Sequence, residues 1–138
     1  MSSGQPSPAI GRLNADGSLD QSFNVGGRGL DPYRTSGNNS LRSLAVQPDG
    51  KILVGGSRIG FGPQYYNGHP FYGLLRLNAD GRVDTGFTAV IGLSNGYTQV
   101  VIESILVQPS GKIIIGGQFG TANGLVANCL VRLNADGT

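Results

Sequence analysis

The chain is predicted to be all-β, and three observations predict it. The hexapeptide Arg-Leu-Asn-Ala-Asp-Gly occurs at 12–17, 76–81 and 132–137. A second phrase, Gln-Pro-Asp/Ser-Gly-Lys running into an aliphatic stretch that ends in Gly-Gly, alternates with it at 47–56 and 108–117. Val, Ile and Leu dominate the segments between these phrases, and no capped apolar pattern of period 3.6 is sustained anywhere. Self-similarity of this kind means that one supersecondary unit was copied and that the copies bury their apolar faces on each other.

Residues 1–8 are Met, Ser, Gly, Gln, Pro and Ser again, a flexible lead with neither a basic n-region nor an apolar h-region, so no secretory signal is expected there. Residues 9–14 and 18–23 form a first hairpin folded at Ala15-Asp16-Gly17, which sets Leu13 opposite Leu19 and Arg12 opposite Asp20. A Gly-rich crossing, 24–40, follows; it contains Asp31-Pro32-Tyr33. The next hairpin is 41–47 and 51–57. Its turn, Pro48-Asp49-Gly50, combines a preset φ, an Asp and a Gly for the left-handed position. That register sets Val46 opposite Ile52, Ala45 opposite Leu53 and Leu44 opposite Val54. Both faces are then apolar, and the hairpin is expected to lie between neighbouring layers.

The hexapeptides are 64 and then 56 residues apart, and Asn123-Gly124 matches Asn67-Gly68, so an insertion is placed at 58–69. Segments 70–78 and 82–87 close a four-strand unit, with Leu77 opposite Val83 and Arg76 opposite Asp84. Arg12 with Asp20 and Arg76 with Asp84 are predicted cross-strand ion pairs, each contributing roughly 0.2 to 1 kcal/mol. After a connection at 88–98, the segments 99–108, 112–119 and 127–134 repeat the first three strands of that unit. The expected strands therefore number two, then four, then three.

Residues 11–23, 41–57, 74–87 and 102–136 resemble the delta-60 repeat family. Its units read Arg-Leu-Asn-x-Asp-Gly-Ser-Leu-Asp-x-Ser-Phe, followed by Val-Gln-Pro-Asp-Gly-Lys-Ile-Leu-Val-Gly-Gly. The resemblance implies four-stranded antiparallel blades of β-propeller type, in a single domain over 1–138. Its parts are a partial blade at 9–23, a full blade at 41–87 and an incomplete blade at 99–138. It also implies an extracellular, cell-surface or virion setting rather than the cytoplasm, and it implies no activity. Propellers carry about four to eight blades, so these repeats do not close a ring by themselves. Free strand edges invite another copy, and a homo-oligomer is expected to complete the fold, unless the chain is a piece of a longer array or forms a partial, non-propeller stack.

The net charge is only +2, and Arg12, Arg76, Arg132, Lys51 and Lys112 occupy repeat-equivalent places, which fits a structural duty and not a nucleic-acid patch. No apolar run approaches the roughly 20 residues that span a bilayer, so membrane insertion is not expected. Cys129 stands alone and makes no internal disulfide; a buried apolar role is expected. Gly26-Gly27-Arg28-Gly29, Gly55-Gly56 and Gly116-Gly117 are not followed by a helix start, so they are read as strand-end glycines and not as phosphate loops. Asn14, Asp16 and Asp20, echoed at Asn78, Asp80 and Asp84, have the spacing of part of a calcium loop but supply too few oxygens. No metal and no cofactor is expected.

Residues 61–72 hold five of the ten aromatic residues and the one histidine. Tyr65, Tyr66, His69, Phe71 and Tyr72 are therefore candidates for contacting a partner or ligand, since such rings suit a protein interface or a sugar-stacking surface. His69 has no second His or Cys beside it to form a metal site, and no nucleophile is positioned for it. Glu103, the one glutamate, falls in a predicted strand and is expected to point out of the blade. The expected function is a non-enzymatic structural or binding module, oligomerising blades that present loops to a protein or carbohydrate partner at a cell or virion surface. The alternatives are a metal-dependent or hydrolytic site built by assembly at a ring axis, and a fragment of a longer propeller protein.

Overall fold

The computed structural model of the chain describes residues 9–31, 40–59, 62–93, 96 and 98–138, and among these there is no helix. Strands β1 (Ser40–Val46) and β2 (Ile52–Ile59) form the expected hairpin. The Gln47 N–H donates to the Lys51 carbonyl at 2.8 Å and the Gly50 N–H to the Gln47 carbonyl at 2.9 Å. Gly50 takes the left-handed conformation, at φ 85°, that the turn requires. Leu44 faces Val54, Ala45 faces Leu53 and Val46 faces Ile52, the register read from the turn.

The expected insertion is itself structured. β3 (Gln64–Tyr66) and β4 (His69–Phe71) form a short hairpin whose turn residues, Asn67 and Gly68, both have positive φ. β5 (Leu74–Leu77) pairs with β2, and Val83 bridges Leu77. The predicted strand at 82–87 shrinks to that bridge because the chain turns at once, with the Phe87 N–H donating to the Asp84 carbonyl at 3.2 Å. β6 (Ile91–Gly92) lies within the expected connection.

The third repeat copies the second. β7 (Gln99–Val107), β8 (Ile113–Gln118) and β11 (Leu130–Leu133) match β1, β2 and β5, while β9 (Thr121–Ala122) and β10 (Leu125–Val126) match the β3–β4 hairpin. β1 and β7 carry the same register shift, between Leu41 and Ser43 and between Ile102 and Ser104, so Arg42 and Glu103 occupy equivalent bulges and both are exposed. The far end of β2 pairs with the start of β7, Ser57 opposite Val101, which joins the two units into one six-stranded sheet.

In the first repeat the two predicted strands reduce to a bridge between Leu13 and Leu19. Leu30 then bridges Tyr66 of the second repeat. The 1–8 lead, Pro32, Tyr33 and Phe61 lie outside the described residues.

Two apolar layers separate the three repeats. Ile10, Leu30, Val54, Tyr66, Leu75 and Leu77 fill the first; Leu53, Leu74, Ile102, Ile113, Ile115 and Phe119 are among those that fill the second. Adjacent residues of β2, Leu53 and Val54, point into different layers, and both are fully buried. That strand is sandwiched as expected. β1 is not: Ala45 packs toward the third repeat, but Leu44 and Val46 are 55% and 67% exposed. The expectation of two buried faces fails there because the described part of the first repeat, 9–31, holds no counterpart of β1 and β2 to lie against them.

Candidate functional site

The ion pairs form, and they are the centre of a junction built twice. Arg12 donates from Nε to Asp20 Oδ2 at 2.7 Å, and Arg76 from Nε to Asp84 Oδ2 at 2.8 Å. Each aspartate is held by its turn: Asp20 Oδ1 accepts from the Ser22 N–H and hydroxyl at 2.9 and 2.6 Å, and Asp84 Oδ1 from the Gly86 N–H at 3.0 Å. Hydrogen bonds from Ser22 and Arg12 hold the Asp20 carboxyl below its ordinary value; those from Lys51, Gly86 and Arg76, with the arginine's charge, do the same for Asp84. Lys51 also reaches Asp84 Oδ2, at 2.8 Å.

The aligned guanidinium then crosses into the next repeat. Arg12 Nη1 donates to the Ala79 carbonyl and Arg76 Nη1 to the Ala135 carbonyl, both at 2.6 Å. Phe23 lies under Arg12 at 4.8 Å and Phe87 under Arg76 at 4.6 Å. The rings press on Gly81 and Gly137: a methyl group on either would lie within 3 Å of the phenylalanine. Sequence reading predicted the Arg–Asp pairs but missed the phenylalanine and the alanine carbonyl. The signal was present, since Asp20 and Phe23 have the spacing of Asp84 and Phe87.

The hairpins act as hooks at the same junctions. The Asn67 N–H donates to the Gly29 carbonyl and the Asn123 N–H to the Val90 carbonyl, at 2.9 and 2.8 Å. Each side-chain oxygen accepts the return bond, at 2.7 and 2.9 Å. The five aromatic-segment candidates divide. Tyr66 is fully buried, its hydroxyl accepting from Asn24 Nδ2 at 3.3 Å, and burial pushes that phenol up; Phe71 is also core. Tyr65 and Tyr72 are half-buried and His69 is exposed. His69, Phe71 and Tyr72 line a cavity of about 280 Å³ whose other wall includes Val83, Asp84 and Phe87. The corresponding groove of the third repeat, lined by Val90, Leu125, Val126, Val131 and Leu133, measures about 780 Å³.

Arg58 is buried beside Tyr72, its guanidinium carbon 5.5 Å from the ring centre, and donates to the Gly62 and Ile91 carbonyls at 2.9 and 3.1 Å. Burial pushes its pKa down.

The Asn-x-Asp-Gly turns use their carboxylates locally. Asp16, Asp80 and Asp136 accept the N–H two residues on, from Ser18, Arg82 and Thr138, at 2.9, 3.0 and 3.0 Å. Among the described residues no three His, Cys, Asp or Glu side chains gather as a metal would require, and no helix is long and apolar enough to cross a membrane. Cys129 is half-buried and forms no disulfide.

A family model described as a domain of unknown function (DUF5122), beta-propeller, matches residues 1–23, 47–87 and 108–138. No curated protein and no solved structure matches the chain.

Proposed function

Because the chain belongs to the DUF5122 β-propeller family, a domain of unknown function, we propose that its work is assembly and presentation, not catalysis. Its blades dock face to face with further copies and hold their loops toward a protein or glycan partner, in an extracellular, cell-surface or virion setting. One observation carries the reading: residues buried at the internal junctions have equivalents that are open on the two outer faces of the described repeats. Leu74 is 2% exposed and its counterpart Leu130 is 65% exposed. Leu44 and Val46 form the opposite outer face. The Ala15-Asp16-Gly17 turn, equivalent to the one that receives Arg12, is also exposed.

Docking one copy's Ala15 turn against another's Arg132 would reuse the internal junction head to tail. Such a contact is heterologous, so it closes into a ring or extends as a filament. Tyr65, Tyr72 and His69 are the presented part of the aromatic hairpin; Tyr66 and Phe71 support it from the core.

Light scattering on a size column at two concentrations tests the assembly. A discrete multiple of the chain mass supports it, and a monomer at both concentrations removes it. Tyr65→Ser is expected to leave folding intact and to weaken partner capture; unchanged capture would remove the hairpin from the contact.

A further inference from the structure

We propose that the groove astride His69 binds an acidic saccharide, with a sugar ring on the Tyr72 side and its carboxylate beside Arg82. Two cavities make the groove. The one of about 280 Å³ shares His69 and Val83 with a second, of about 320 Å³, whose lining includes Val25, Gly26, Gly27, Asn67 and Arg82. The first combines the Phe71 and Tyr72 rings with the exposed Thr85 and Thr88, the mixture of apolar surface and hydroxyl partners that suits a sugar ring. The wall of the second is fixed by its own bonds. Asn67 Nδ2 donates to Asn24 Oδ1 at 2.6 Å, the Gly27 N–H donates to the Asn24 carbonyl at 2.9 Å, and a methyl group on Gly27 would lie within 3 Å of the Asn24 side chain.

The charge around the groove is positive. Asp84, which lines the first cavity, is shared by two cations, Lys51 and Arg76. Arg58, 4% exposed and packed on Tyr72, has no counter-charge. All eight acidic residues lie among the described ones, none is within 4.0 Å of Arg58, and its Nε bonds to nothing. A buried charge of this kind is weakly screened. In the second cavity the Arg82 side chain is 69% exposed, and its contact with Asp80, at 3.6 Å, is too long for a hydrogen bond, so its donors are open to a carboxylate. The repeat does not ask for these groups: His69, Tyr72 and Arg82 correspond to Leu125, Asn128 and Thr138, and Arg58 to Phe119. Nor does the groove depend on what stands before or after the described repeats. Among the described residues the corresponding groove of the third repeat is lined from Thr88 onward, with nothing from 9–87, and the two cavities at His69 take nothing beyond Val90. The first and second repeats build it between them.

The ligand named here rests on the reading that the aromatic hairpin faces a partner, and the two are judged apart, since Tyr65, the residue that tests that reading, lines neither cavity. The test uses the full chain and isothermal titration calorimetry at low salt. Its probes are an oligogalacturonate and a hyaluronan oligosaccharide, each beside its carboxyl-reduced neutral form. Saturable binding of at least one acidic probe is expected. It should weaken about tenfold in the neutral form and about tenfold with Arg82→Ala, and His69→Ala should weaken it as well. Tyr65→Ser should leave binding unchanged, as should Arg132→Ala, which removes an exposed cation outside the groove. Because His69 and Arg82 are exposed, their replacement is expected to leave the fold intact, and circular dichroism checks this. No saturation by either acidic probe at about 10 millimolar would overturn the proposal. So would equal binding of acidic and neutral forms, indifference to Arg82→Ala, or equally tight binding of an oligo-aspartate peptide, the mark of a general cationic patch. Loss of partner capture by Tyr65→Ser without saccharide binding would keep the hairpin as a contact and remove this ligand; saccharide binding with capture unchanged would do the reverse.

Discussion

The second and third repeats carry the same strands in the same register, yet they live in different environments. Leu74 is 2% exposed and Leu130 is 65% exposed. Arg76 is buried, bonded to Asp84 and to the Ala135 carbonyl, whereas Arg132 is exposed. Gly73, at φ 78°, corresponds to Cys129, at φ 71°, where a side chain occupies a conformation that favours glycine. Pairing within a repeat is local and is copied faithfully; burial comes from the next repeat, and only a repeat flanked on that side receives it. This is the expected behaviour of a quasi-one-dimensional array, whose stability is the sum of each unit and its neighbour interfaces.

The comparison is broken most directly by truncating the equivalent leucines. Leu74→Ala should cost about 2 to 5 kcal/mol, from lost transfer energy and the cavity left behind. Leu130→Ala should cost less than about 0.5 kcal/mol. Denaturant unfolding of the two variants measures the difference, and equal losses would mean that Leu130 is buried in solution by an assembled neighbour.

The arginines give the next largest contrast. Arg76→Ala should cost about 2 to 3 kcal/mol, because the Ala135 carbonyl loses its donor and Asp84 keeps only one of its two cationic partners, Lys51. Arg132→Ala should be near neutral to folding. Destabilisation by Arg132→Ala of the size found for Arg76→Ala would erase the distinction between interior and end.

Acid sharpens it further. The Asp84 carboxyl titrates below its ordinary 3.8 in the folded chain, so its contribution is fully present above that value and is lost as pH falls through the lower, folded one. Urea titrations between about pH 5 and pH 2 should show stability declining in that window, and Asp84→Asn should flatten the decline. An unchanged acid limb would remove Asp84 as a contributor.

The smallest expected effect is a gain. Cys129→Gly should stabilise the chain by about 1 kcal/mol by relieving the left-handed backbone, whereas Gly73→Ala should destabilise it, since the added methyl would lie 3.2 Å from both Ile91 and Val100. A destabilising Cys129→Gly would show that the thiol's packing outweighs its backbone strain.

The repeat phrases carried much of the fold in plain view. Pro48-Asp49-Gly50 determined its turn and, through it, the pairing of Ala45 with Leu53. The spacing from Arg12 to Asp20 determined an ion pair across a hairpin. These relations span fewer than about ten residues and follow from turn geometry and side-chain alternation.

The aromatic segment was legible only in part. Its composition marked Tyr65, Tyr66, His69, Phe71 and Tyr72 as one group, but Tyr66 and Phe71 went to the core, because in a short strand alternate side chains take opposite faces and Leu30 and Asn24 of the first repeat cover one of them. Likewise, no local rule revealed that Arg76 reaches the Ala135 carbonyl, 59 residues away.

The sequence by itself determined an all-β chain, its repeat-phrase turns, the registers across those turns and its Arg–Asp pairs, since all of these are set by neighbours in the chain. Only the tertiary structure decided which of the equivalent residues are buried: Leu74 and not Leu130, Arg76 and not Arg132. Burial depends on whether another repeat lies alongside, and the local sequence of a repeat does not encode the presence of its neighbour.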